Sequence, residues 1–158
     1  MRQILAALAA SVALLMAPSG LSAKGATERI VISGGDLPAP IEITDPVVIQ
    51  RFRIWAGPGT SSNEPQSLNA DWSRGAAKPL EGAPVYQVSF VTTRGPYVVR
   101  YAIDAGNRGY VYLPGKADAE YEHNVWLILR GVEGAWFHAR SEWEDLANPL
   151  IAKATKKR

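Results

Sequence analysis

The clearest pattern in this chain is the alternation of apolar and polar residues between Val85 and Leu113. Three alternating runs are separated by short turns at Arg94–Pro96 and Ala105–Arg108. Alternation with a period of two is typical of strands with one buried face, and such short loops join antiparallel neighbours. The segment therefore predicts a three-stranded antiparallel meander with one apolar face. The opposite face carries Gln87, Ser89, Arg100 and Asp104.

Shorter signals flank this meander. Alternating residues after Glu28 and after Ile41 predict two more strands, and Trp136-Phe137 begins a further one. Asp45-Pro46 favours a helix start, because Asp caps free N–H groups and Pro fits the first turn. The residues 47–53 that follow are interpreted as a short helix, although they also fit a strand.

The last element is predicted to be an amphipathic helix. Ser141 and Glu144 have the spacing of a capping box. A single apolar stripe follows, formed by Trp143, Leu146, Leu150 and Ile151. The predicted fold class is α+β: a mostly antiparallel sheet with a central three-stranded meander, and the C-terminal helix packed on it.

The first 23 residues have the layout of a secretory signal peptide. Arg2 is followed by an uncharged apolar run, and small residues up to Ala23 suit a cleavage site. The run is shorter than the roughly 20 residues that a membrane span needs. The expected organisation is a signal peptide at 1–23, one exported domain at 24–152 and a basic tail at 153–158. No transmembrane segment is expected after cleavage, and the destination is the periplasm or the outside of the cell.

Charge and cysteine content exclude several classes of function. The chain has 17 Lys and Arg residues against 15 Asp and Glu, but five of the cations lie in the leader and the tail. The body is therefore slightly acidic, which argues against a nucleic-acid partner. The absence of cysteine excludes disulfides, thiolate metal sites and a cysteine nucleophile.

Aromatic residues give the candidate binding site. Tyr110 and Tyr112 alternate with aliphatic residues, so both are predicted to face outward beside Arg100. Flat aromatic rings with hydrogen-bonding neighbours suit sugars and peptides. Trp72 lies in the proline- and glycine-rich segment 58–84, and Trp55 lies near Arg51 and Arg53. The candidate ligand-binding residues are Trp55, Trp72, Arg100, Tyr110 and Tyr112.

Signals for catalysis are weaker. His123 and His138 stand outside any metal-binding motif, so no metal and no cofactor are expected. A pair of carboxylates is compatible with glycoside hydrolysis, but the sequence gives no separation between them. Four such carboxylates are Asp71, Asp104, Glu120 and Glu144. No catalytic residue is assigned.

Three runs of sequence carry a resemblance to known proteins. They are Phe52–Gly59, Gly109–Gly115 and Arg130–Phe137, and together they resemble a group of small exported bacterial proteins. The resemblance implies a bacterial, exported setting and carries over no functional residue.

Two functions remain open at this point. The first is a non-enzymatic binding or envelope-interaction domain whose partner is a carbohydrate, a peptide or an anionic envelope component. The second is a small hydrolase of a cell-wall or sugar substrate, with a carboxylate in or near segment 58–84.

Overall fold

The computed structural model describes residues 26–52, 70–71, 74–124 and 134–156. These residues form one six-stranded antiparallel sheet in the order β2-β1-β3-β4-β5-β6. The strands are β1 (Thr27–Gly34), β2 (Ile41–Ile43), β3 (Val85–Thr92), β4 (Gly95–Ile103), β5 (Gly109–Leu113) and β6 (Ala135–His138). The helices are α1 (Pro46–Arg51), α2 (Tyr121–Asn124) and α3 (Ser141–Thr155). The predicted α+β class and the central meander, β3 to β5, are confirmed.

The core lies between the inner face of the sheet and α3. Each strand contributes alternate residues to this face, including Ile30, Ile32, Val88, Phe90 and Val99. The buried side of α3 carries Trp143, Leu146, Ala147, Asn148 and Ile151, which matches the predicted stripe apart from Leu150, which is only partly buried. Pro149 lies inside the helix without ending it.

Both ends of α1 have a local explanation. The Asp45 carboxylate accepts a hydrogen bond from the Val47 N–H at 2.8 Å, and Pro46 occupies the first turn. The helix ends at Arg51, and the Phe52 ring then enters the core edge-on to Trp143, with 4.8 Å between the ring centres. The short-helix interpretation of this segment is therefore confirmed.

The start of α3 differs from the prediction. The N-cap residue is Arg140, and no side chain caps the helix, so the expected capping box of Ser141 and Glu144 is wrong. A Glu144 carboxylate oxygen instead accepts a hydrogen bond from the backbone N–H of Gly109, at the start of β5. The carboxylate has a tertiary partner, and this contact fastens the first turn of α3 to the sheet.

Part of segment 58–84 extends the edge of the sheet. Isolated bridges join Ala70 to Ala139 and Ala76 to Phe137, and the N–H of Ala77 donates to the Trp136 carbonyl at 2.8 Å. Residues 70–71 and 76–77 therefore lie along the edge of β6, which would otherwise present unpaired backbone groups there.

Candidate functional site on the outer face of the sheet

Two rows of side chains cross the outer face of β4, β5 and β6. Register places Tyr112 between Arg100 and Trp136 in one row. It places Tyr110 between Ala102 and His138 in the next. Directly paired residues, and residues two apart on a strand, share a face. Three of the five predicted ligand-binding residues, Arg100, Tyr110 and Tyr112, therefore lie side by side.

Arg100 is held by two carboxylates from the loop after β5. Its Nε and Nη2 donate to the two Glu120 oxygens at 3.1 and 2.7 Å, and Nη2 also donates to Asp118 at 3.1 Å. The second Asp118 oxygen accepts from the Tyr112 hydroxyl at 2.7 Å and from the Gly115 N–H at 2.8 Å. We call these four side chains, Arg100, Tyr112, Asp118 and Glu120, the Arg100 clasp. It fixes the loop against the outer face of the sheet.

The clasp keeps its carboxylates ionised. The hydrogen bond from Arg100 is the main cause that lowers the pKa of Glu120, and the hydrogen bond from Tyr112 does the same for the pKa of Asp118. Burial, with the bond to Asp118, raises the pKa of the Tyr112 hydroxyl. A general acid needs a carboxyl that stays protonated near neutral pH. The clasp is therefore suited to holding hydrogen bonds in place and unsuited to donating protons.

The Tyr112 ring is covered on more than one side. The Arg100 guanidinium carbon lies 5.1 Å from the centre of the Tyr112 ring, a cation–π contact. The Trp136 ring centre lies 5.2 Å from it at an interplanar angle of 44°. Trp136 is half-buried and was absent from the sequence-based candidates. Its alternation with the buried Phe137 is the sequence signal that places it on the outer face.

Tyr110 is on the predicted face but is only 4 % exposed, so it is not the open surface residue that was expected. Its hydroxyl donates to Asp104 at 3.2 Å, and its ring centre lies 5.0 Å from that of His138. Burial is the main cause that raises the pKa of this hydroxyl. Tyr110 therefore packs beside the His138 ring on the same face of the sheet.

Asp104 closes the turn between β4 and β5. Its side chain has no exposed surface, and it accepts from the N–H groups of Gly106 and Arg108 at 2.9 and 3.0 Å. The Arg108 guanidinium donates a further hydrogen bond, from Nε to the second Asp104 oxygen, at 2.8 Å. Burial opposes ionisation, but the hydrogen bonds from Arg108 and Tyr110 outweigh it, so the pKa of Asp104 is lowered. The hydrogen bonds within this turn and from Tyr110 satisfy the carboxylate.

A polar cleft of about 450 Å³ lies beside His138, at the start of α3. We call it the polar cleft. Six charged side chains line it together with His138: Arg74, Arg108, Arg140, Asp71, Glu142 and Glu144. The cleft adjoins the second aromatic row through His138, and Asp71 and Arg74 border it on the side of the sheet edge.

The remaining sequence candidates divide as follows. Trp55 and Trp72 lie outside the described residues, but Asp71 and Arg74, which flank Trp72 in the chain, both line the polar cleft. Of the four carboxylates considered for hydrolysis, Asp71 and Glu144 share that cleft. Glu120 belongs to the clasp, and Asp104 lies beneath Arg108.

The described residues contain no group of three or more His, Asp or Glu side chains that could hold a metal ion. Within the same ranges, no helix is long and apolar enough to cross a membrane. No protein-family model, curated protein or solved structure matches this chain.

Proposed function

We propose that this chain is an exported, non-enzymatic binding domain that takes its ligand on the outer face of β4, β5 and β6. The partner is a carbohydrate, a peptide or an anionic envelope component. The observation that carries the proposal is the Arg100 clasp beside Trp136, which sets a planar guanidinium, carboxylates and an indole on one surface. Such a combination offers apolar contact and directed hydrogen bonds to the same ligand.

The clasp is organised before any ligand arrives. Glu120 and Asp118 restrict the Arg100 side chain, which still keeps 32 % of its surface exposed. Holding a flexible side chain in advance removes the entropy that binding would otherwise cost, about 0.5–1.5 kcal/mol for such a side chain. The same contacts lower the pKa values of both carboxyls, which makes them poor proton donors and leaves them charged for hydrogen bonding.

Export is supported by the leader-like residues 1–23, so the working environment is the periplasm or the exterior. A cysteine-free domain that is stabilised by packing has no redox requirement in that environment.

The test is a titration of the isotope-labelled protein with a neutral oligosaccharide, a short peptide and an anionic polysaccharide. At least one class should shift the Trp136 indole and Arg100 guanidinium signals. Trp136→Ala should weaken binding about tenfold, because it removes the indole ring that offers apolar contact to the ligand. The matched control is Val47→Ala, an exposed apolar residue on α1, which should bind as the parent does. If none of the three ligand classes shifts these signals, the proposal is wrong.

One observation favours the hydrolase as a second candidate. Asp71, from segment 58–84, lines the same cleft as Glu144. The hydrolase ranks second because a Glu144 oxygen already accepts a hydrogen bond from the Gly109 N–H, and this contact anchors α3. A hydrolase would release reducing ends from cell-wall glycan, and Asp71→Asn would abolish the release. Unchanged glycan after prolonged incubation would remove this candidate.

A further inference from the structure

The charges of the polar cleft are balanced. Three arginines and three carboxylates line it, so neither sign is in excess among its lining residues. Two of the arginines also have partners nearby: Arg108 contacts Asp104 at 2.8 Å, and Arg140 contacts Glu142 at 3.6 Å. An anion entering the cleft would meet the carboxylates as well as the arginines, and a cation would meet the same conflict in reverse.

A balanced set of charges still offers strong hydrogen bonds. Guanidinium groups only donate and carboxylates only accept, so the cleft presents both kinds of partner within one small space. A hydroxyl group does both, and neighbouring hydroxyls on one ring match that mixture without adding charge.

We infer that the polar cleft binds a neutral, polyhydroxylated ligand, a sugar unit, with Arg74, Arg140 and Asp71 as its hydrogen-bonding partners. This inference rests on the proposed binding function and names its ligand class. The volume of about 450 Å³ falls within the usual range of small-molecule sites, about 300–1,000 Å³.

An imidazole ring in the cleft supports the choice of a sugar. His138 lines the cleft with its flat ring, and the Tyr110 ring lies beside it in the same row, with 5.0 Å between the ring centres. The C–H face of a sugar ring packs against such a flat surface while its hydroxyls reach the charged side chains. In the neighbouring row, Trp136 extends the aromatic surface along β6, so a longer chain of sugars would continue toward the Arg100 clasp.

The experiment compares neutral trisaccharides, cellotriose and chitotriose, with polygalacturonate and with trialanine. We expect a trisaccharide to bind and to shift the signals of His138 and of the Arg74 and Arg140 side chains. Arg74→Gln and Arg140→Gln should each weaken this binding about tenfold, the effect of losing one charge-assisted hydrogen bond. Arg29→Gln is the matched control, because Arg29 is an exposed arginine on β1 that pairs with Glu42; it should leave binding unchanged.

Salt provides an independent readout. Raising sodium chloride from about 0.05 to about 0.5 M should barely affect the binding of a neutral sugar. The same change should strongly weaken the binding of an anionic polymer, because salt screens its charge. If only the peptide or the anionic polymer binds, the sugar inference is overturned and the proposed binding function stands. If a trisaccharide binds but both arginine variants bind as tightly as the parent, the cleft is the wrong site. Failure of every ligand overturns both proposals.

Discussion

The buried side chains of Tyr101 and Asn148 form a hydrogen-bond network that joins distant parts of the chain. Tyr101 is fully buried on the inner face, and its hydroxyl donates to the Asn148 side-chain oxygen on α3 at 2.6 Å. The Asn148 amide in turn donates to the Asn107 carbonyl at 3.1 Å. Burial, followed by the nearby charge of Glu144, raises the pKa of Tyr101, so the hydroxyl remains a donor across the physiological range.

This network gives the prediction at the scale of single residues. Asn148→Ala should lower the free energy of unfolding by about 1–3 kcal/mol, because it leaves the buried Tyr101 hydroxyl without its acceptor. Tyr101→Phe should cost less. The double variant should be more stable than the sum of the two single effects predicts, because it no longer contains a buried Tyr101 hydroxyl without an acceptor. Urea unfolding of the four proteins measures this coupling, and strictly additive losses would contradict it.

Individual side chains were the hardest features to predict from the sequence. Alternation places Tyr110 on the outer face. The pattern does not show that Asp104 and His138 contact Tyr110 there. The spacing of Ser141 and Glu144 fits a capping box, yet the Gly109 N–H is the stronger competitor for that carboxylate. Both outcomes depend on groups far apart in the chain, which local pattern rules do not include.

The elements themselves follow their patterns more closely. Short turns bring β3, β4 and β5 together with little choice of register, so the meander was predictable from alternation alone. The pairing of Ala70 and Ala76 with the edge near β6 could not be predicted in this way, because two isolated bridges leave no periodic pattern in the sequence. The clasp was equally hidden, since Asp118 and Glu120 lie in a loop whose position depends on Arg100.

Trp143 joins α3 to aromatic rings elsewhere in the core. Trp143 is 2 % exposed and contacts three rings from other elements, with ring centres 4.8 Å from Phe52, 5.6 Å from Tyr101 and 6.1 Å from Phe90. The pairs with Phe52 and Tyr101 are edge-on, a geometry that stabilises a core beyond the burial of its area. Trp143 thereby links α3 both to the sheet and to the end of α1.

Trp143→Ala should therefore lower the free energy of unfolding by about 3–5 kcal/mol, the usual cost of emptying a large aromatic site. Trp143→Phe keeps a ring in place and should cost clearly less. Leu150→Ala, a partly buried position on the same helix, serves as the comparison and should also cost less. Denaturant unfolding measures all three, and a loss below about 1 kcal/mol for Trp143→Ala would show that α3 does not anchor the fold.

At the scale of the whole molecule, the first strand limits where the proposed signal peptide could be cut. Strand β1 starts at Thr27, which pairs with Thr92, and the Thr93 N–H donates to the Ala26 carbonyl at 3.2 Å. Because β1 lies between β2 and β3, a cut beyond Ala26 would remove pairing from the interior of the sheet. Export and folding are compatible only if cleavage falls before this strand.

We therefore expect the exported protein to begin at or near Lys24. Ala23→Leu should slow processing, because the peptidase groove accepts small residues at the last position before the cut, while Ser22→Leu occupies the tolerant middle position and should be processed normally. Intact-mass measurement of protein recovered from the periplasm or the medium distinguishes these cases. The expectation is wrong if the full-length chain is recovered embedded in the membrane, or if Ala23→Leu and Ser22→Leu are processed at the same rate as the parent.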